Sequence, residues 1–155
     1  MSASGGRGPT AIHVLVAQAR GGNDPRLIAR VPSGWVMFGE RQFVKGYALV
    51  LPDPVVPDLN SLGGSARTQF LADMGRVGDA LLAATAALRI NYAIFGNLEP
   101  ALHAHVMPRY ADEPAAMRTA QPWAYDWSAA PVFEPQAFAT LKLALQRELA
   151  RADTR

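Results

Sequence analysis

Residues 97–110 read NLEPALHAHVMPRY, and the alternation inside them decides how the rest of the chain is read. Ala101, His103, His105 and Met107 recur at every second position, with Leu102, Ala104 and Val106 between them. Side chains of a strand point alternately to its two faces, so a strand over 101–107 carries both imidazoles on one face and an apolar row on the other. Asn97-Leu98-Glu99-Pro100 has turn composition, and the apolar segment 90–96 precedes it, so the pair predicts a hairpin with the histidines on its second arm. Two imidazoles spaced this way suit metal coordination, covalent attack on phosphorus, or acid and base work at one centre. A metal site needs a third ligand, and Glu99 and His13 lack ligand-like spacing, so no metal site is expected. The structural alternative is a pair that only satisfies local hydrogen bonds.

Upstream of the hairpin, residues 66–88 contain no proline, and Phe70, Met74, Val77, Leu81, Leu82 and Leu88 fall near a 3.6 period. They predict the major helix. Gly75 and Gly78 weaken it by about 1 kcal/mol each relative to alanine and imply close approach of another backbone, such as a sheet. Nearer the start, Ile12, Leu15, Val16 and Ala19 are spaced for a short helix that ends at Arg20-Gly21-Gly22. Strands are expected over 26–31, 35–40 and 47–51, separated by Pro32-Ser33-Gly34 and by the segment RQFVKG and stopped by Pro52-Asp53-Pro54. Gly63-Gly64-Ser65 lacks the lysine of a P-loop and reads as the turn into the major helix. Downstream of Arg109 the chain is rich in Pro, Ala and aromatics until a helical pattern returns over 136–150. Residues 1–9 read as a disordered leader and 10–155 as one domain.

The stretch NLEPALHAHVMPRY resembles the signature of the histidine triad (HIT) superfamily, in which histidines alternate with apolar residues on a strand and Pro-Arg often follows. Aligned on Pro108-Arg109, His105 is the last histidine of the triad and His103 the middle one, while the first falls on Ala101. The strands VMFGE and GYALVLP, the long helix and the hairpin follow the HIT order of elements, and the resemblance covers about residues 30–110. It is closest to a divergent bacterial branch with a short loop before the motif. The fold it implies is α+β: a meander of about five antiparallel strands with one long helix packed on it and a C-terminal helix.

The resemblance also implies a chemistry. His103 would attack the phosphorus attached to a nucleoside and form a nucleotidyl-imidazole, and His105 would hydrogen-bond a phosphate oxygen and stabilise developing charge. The substrate class is a dinucleoside polyphosphate or related nucleotide conjugate, attacked at its α-phosphate; no cofactor is needed, and a homodimer is expected. Loss of turnover with retained nucleotide binding is the first alternative, because Ala101 replaces a triad member. A metal-dependent enzyme using the HxH pair is the second. Asn97 stands where relatives contact phosphate and is equally a turn former. Family members hold the ribose at the end of the second strand, where counting gives Gly39, with the carboxylate next to it at Glu40. Met37 offers apolar contact to a base or packs in the core, and where several relatives have histidine before the next strand this chain has Tyr47. Trp123, Tyr125 and Trp127 form either a nucleobase wall or an anchor for the tail, and Arg109 reaches phosphate or forms a structural ion pair.

Composition agrees with this short menu of mechanisms. The 155 residues contain no cysteine, which excludes disulfides, thiolate-held metals and a cysteine nucleophile. Of 15 basic residues 13 are arginine, scattered rather than gathered in a stripe, so the net charge of +2 does not imply nucleic-acid binding. No apolar run approaches the roughly 18 residues a membrane helix requires, and the N-terminal segment has too short an apolar part for a secretory signal. A cytoplasmic protein without membrane partners is expected.

Overall fold

The computed structural model describes residues 8–152. Most of the expected leader therefore lies outside the described residues, and Gly8 and Pro9 are exposed and belong to no helix or strand. The first helix, α1, spans Ala11–Gly21. Thr10 caps its first turn through a reciprocal pair in which the His13 N–H donates to the Thr10 hydroxyl and the Thr10 N–H donates to His13 Nδ1 at 3.1 Å. Gly22 closes the helix at a φ of 73°, a left-handed conformation that favours glycine.

Five strands follow: β1 Leu27–Val31, β2 Gly34–Phe38, β3 Ala48–Pro52, β4 Arg89–Ile94 and β5 Ala104–Arg109. They form one antiparallel sheet in the order β1-β2-β3-β5-β4. The helix α2, Gly64–Ala84, lies between β3 and β4 in the chain, and α3, Pro135–Ala152, closes it. Both helices pack on one face of the sheet and on each other, around Phe38, Phe70, Val77, Leu81, Val106, Phe138 and Leu145. The side chain of Asp73 is fully buried in this layer and is satisfied there: it accepts from the Ser33 N–H, Gln69 and Arg76, tying α2 to the β1–β2 turn. On the opposite face α1 lays Ile12, Val16 and Ala19 over Met37, Leu51 and Ala101. Farther along that face Val44, Tyr47 and Met107 pack with Phe43, Tyr125 and Trp127. The result is three layers, with a sheet between a helix pair and a discontinuous cover of α1 and the tail. Among the described residues no helix is long and apolar enough to cross a membrane.

Two boundaries differ from the sequence reading by more than two residues. The major helix ends at Ala84, not at Leu88, because the Thr85 hydroxyl donates to the Leu81 carbonyl at 2.6 Å and accepts the Ala87 N–H, turning the chain out of the helix. The Leu88 N–H then pairs with the Arg109 carbonyl at the start of the sheet, leaving Leu82 and Leu88 exposed. The second hairpin strand begins at Ala104, not Ala101, because the Leu102 N–H goes to the Val56 carbonyl. The alternation of faces nevertheless continues through this segment: Ala101 packs under α1 and Leu102 in the opposite core. The α2 glycines also separate. A Cβ on Gly78 would meet the Tyr92 hydroxyl at 1.9 Å, so the close approach is to a side chain from β4, whereas Gly75 faces open space.

Candidate functional site

The register of the sheet places His105. It pairs with Leu49 on β3 and Ala93 on β4, and Leu49 pairs with Met37, so these four side chains form one row across the face that carries α1. His103 immediately precedes β5, and its ring stands nearly perpendicular to that of His105, with centroids 4.9 Å apart. The two imidazoles meet on the sheet face that α1 and the aromatic tail cover in part.

Each ring has a distinct partner. His103 is 7 % exposed, and its Nδ1 lies 2.7 Å from the Ala101 carbonyl oxygen. A carbonyl only accepts, so Nδ1 carries a proton, and in the neutral tautomer the lone pair is on Nε2. His105 Nδ1 lies 2.6 Å from the Tyr47 hydroxyl, with the two rings within 10° of parallel. Burial, with the neighbouring His103 adding, pushes the His105 pKa down to about 4, so that it is neutral near pH 7. Burial pushes the Tyr47 phenol up, which keeps its proton available. Phe95, itself exposed, forms the rim with its ring 5.8 Å from that of His105.

The remaining expected site residues divide. Asn97 is exposed and lines a cavity of about 690 Å³ together with Thr10, His13, Asp58, Pro100 and Ala101. Ala101 thus borders this cavity while its own side chain is buried against α1. Met37 is 1 % exposed beneath α1 and belongs to the core. Glu40 is exposed, and its carbonyl accepts the Phe133 N–H at 2.8 Å on the α3 side. Gly39, the counted ribose position, makes room for Tyr47: a Cβ there would lie 2.1 Å from Tyr47 Cε1. Arg109 is spent structurally. Its guanidinium donates to both Glu113 carboxylate oxygens, to the Tyr125 hydroxyl and to the Met117 and Ala120 carbonyls. Tyr125 and Trp127 lie on Phe43, with the Trp127 indole N–H donated to the Pro122 carbonyl, which makes them the tail anchor. Among the described residues no three His, Asp or Glu side chains gather into a metal-ligating group.

Sequence reasoning missed the Tyr47–His105 contact and the Phe43 and Phe95 rings. The first had a usable signal, since Tyr47 is two residues before Leu49, the β3 partner of His105. Phe95 falls in the apolar segment 90–96 that the sequence reading assigns to the first hairpin arm, and it lies just beyond β4, which ends at Ile94.

The five-stranded antiparallel sheet with a histidine pair on one face is shared with solved structures. A histidine triad protein from Marinobacter aquaeolei VT8 superposes with a TM-score of 0.72 at 17% identity, over 93% of this chain and 98% of that one. One from Bradyrhizobium japonicum gives 0.69 at 22%, over 79% and 89%. A hypothetical histidine triad nucleotide-binding protein from Sulfolobus tokodaii strain7 gives 0.69 at 11%, over 89% and 92%. The chain has the histidine triad fold. No protein-family model matches the sequence, and no curated protein does.

Proposed function

We propose that this protein binds nucleotides and acts as a nucleotide hydrolase or nucleotidyl transferase at an α-phosphate, with His103 as nucleophile. The observation that carries the reading is the hydrogen bond from His103 Nδ1 to the Ala101 carbonyl, which in the neutral ring assigns the proton to Nδ1 and the lone pair to Nε2, beside a second imidazole. In the first step a bond forms between Nε2 and phosphorus, and the bond from phosphorus to the leaving oxygen breaks with its electron pair on that oxygen. In the second, water, which loses a proton to solvent, or an acceptor phosphate attacks phosphorus, and the pair of the N–P bond returns to Nε2. His105 donates to a nonbridging oxygen as charge grows on it. No step draws on a thiol or a metal ion. The cavity bordered by Asn97 and Ala101, whose lining includes neither histidine, is the proposed seat of the substrate's remainder, and 690 Å³ falls within the usual range for a small-molecule site. Glu40 and Met37 are not part of this proposal, since Glu40 is exposed at the backbone bridge to Phe133 and Met37 is under α1. A homodimer with sheets joined along the open edge of β4 belongs to the same reading.

The test is turnover of a panel of dinucleoside polyphosphates, nucleoside phosphoramidates and nucleotide sugars by the wild type and His103→Ala. Turnover reduced at least 10³-fold in the variant, with nucleotide binding retained, is the expected result, on the order of that seen when a covalent nucleophile is removed. Equal turnover would show that another group attacks. Ala101 in place of a third imidazole supports a second reading, a nucleotide-binding protein without turnover, for which binding would be seen with no product from any substrate. Activity lost to chelators and restored by zinc would move the assignment to metal chemistry.

A further inference from the structure

Tyr47 is buried, 4 % exposed, and its ring is packed on three sides: Phe43 at 5.0 Å, Trp127 edge-on at 5.6 Å, and the backbone at Gly39, where any side chain would collide with it. Its hydroxyl is thereby aimed at His105 Nδ1. A neutral imidazole has one donor and one acceptor nitrogen, and which is which follows from the bond the constrained nitrogen makes. The phenol has one proton to give, and a short contact of 2.6 Å to a nitrogen lone pair satisfies it. We propose that Tyr47 is a positioning residue that donates to His105 Nδ1 and so places the His105 proton on Nε2, the nitrogen turned away from Tyr47. The pair then carries opposite tautomers: His103 holds its proton on Nδ1 and has a free Nε2 lone pair, whereas His105 holds its proton on Nε2 as a hydrogen-bond donor. One ring is set to attack and its neighbour to donate. The depressed basicity of His105 supports the arrangement, because the ring remains in one neutral form at the working pH instead of becoming a cation that donates from both nitrogens. Gly39 belongs to the same device, since it is the gap that admits the Tyr47 ring.

The kinetic consequence rests on the nucleotidyl-transfer reading, but the tautomer does not, and the experiment keeps them apart. In ¹⁵N-histidine-labelled full-length protein near pH 7, two-bond ¹H–¹⁵N correlation spectra report which ring nitrogen of each histidine bears the proton, with resonances assigned by His105→Gln and His103→Ala. The expected result is Nε2–H at His105 and Nδ1–H at His103. In Tyr47→Phe, which keeps the ring packing and removes only the hydroxyl, the His105 signals shift toward a mixture of both tautomers while those of His103 stay. With a substrate that turns over, kcat falls about 10- to 100-fold, the range seen when a residue orienting a functional imidazole is removed, and KM changes little. Gly39→Ala, in which the hydroxyl is present but the ring displaced, gives the same spectral change. Nδ1–H at His105 in the wild type overturns the proposal, as does a Tyr47→Phe spectrum identical to wild type. If the spectra behave as expected and kcat of Tyr47→Phe equals wild type, the positioning role is refuted although the tautomer holds. If no substrate turns over, the transfer reading fails and the spectra alone decide the tautomer.

Discussion

The chemistry of this chain depends on two imidazoles whose partners differ in kind. His103 is bound to a carbonyl and His105 to a phenol, so identical side chains two residues apart have different hydrogen-bond partners. The low basicity of His105 has a consequence for stability. Unfolded, the ring titrates near its ordinary 6.5; folded, near 4. Between these values the unfolded state holds more protons, so stability is lost as the pH falls through that window and is fully present above 6.5. Urea melts of wild type and His105→Asn from pH 7 to pH 4.5 check this: the wild type should lose stability more steeply, and parallel slopes would contradict the burial of the ring. At this scale the sequence was informative where a residue type had one chemistry available. The HxH pair was legible from spacing alone, whereas Glu40 was chosen by counting to a strand end whose register one residue can change, and Met37 had core packing as its alternative. Gly39 in that register holds no side chain, and the ring of Tyr47 fills the space.

Among elements, α2 and the tail show which sequence signals survive packing. The periodicity of Phe70, Met74, Val77 and Leu81 predicted the buried face, yet it could not find the helix end, since the Thr85 hydroxyl competes for the Leu81 carbonyl within one turn. The two glycines of α2 looked alike in sequence and differ in surroundings. Gly75→Ala should therefore stabilise the protein by about 0.5–1 kcal/mol through helix propensity. Gly78→Ala must displace the Tyr92 ring and should fail to give that gain, as thermal or denaturant melts of the two variants would show. Arg109 and Glu113, 8 % exposed each, join the end of β5 to the tail. Arg109→Met should cost about 3–5 kcal/mol by leaving the Glu113 charge buried without its partner, with part of the loss recovered in Arg109→Met, Glu113→Leu. Recovery in the double variant is the decisive observation, because loss of packing alone would add the two effects.

For the molecule as a whole, the order of strands and helices was the most legible property, because hydrophobic alternation, proline stops and glycine caps each act within a few residues. The cover over the histidine face was less so. It consists of α1, distant in sequence, and an irregular tail held by Arg109, Phe43 and Trp127, contacts that no local pattern encodes. The sheet ends at β4 with one unpaired side, and Tyr92 and Phe95 are exposed on or just beyond that strand. Sedimentation equilibrium should give twice the chain mass if the open edge is used as proposed; a monomer at micromolar concentration would remove the joined-sheet assembly. The central claim is narrower, that the His103 nitrogen becomes bonded to phosphorus during turnover. The most direct measurement is rapid quenching of wild-type protein with an α-³²P-labelled dinucleoside polyphosphate, followed by acid or alkali treatment and peptide mapping. The account predicts label on the peptide containing His103, stable in alkali and lost in acid, and absent from His103→Ala. Product formation by the wild type with no labelled protein at any quench time, or label that persists in His103→Ala, would contradict it.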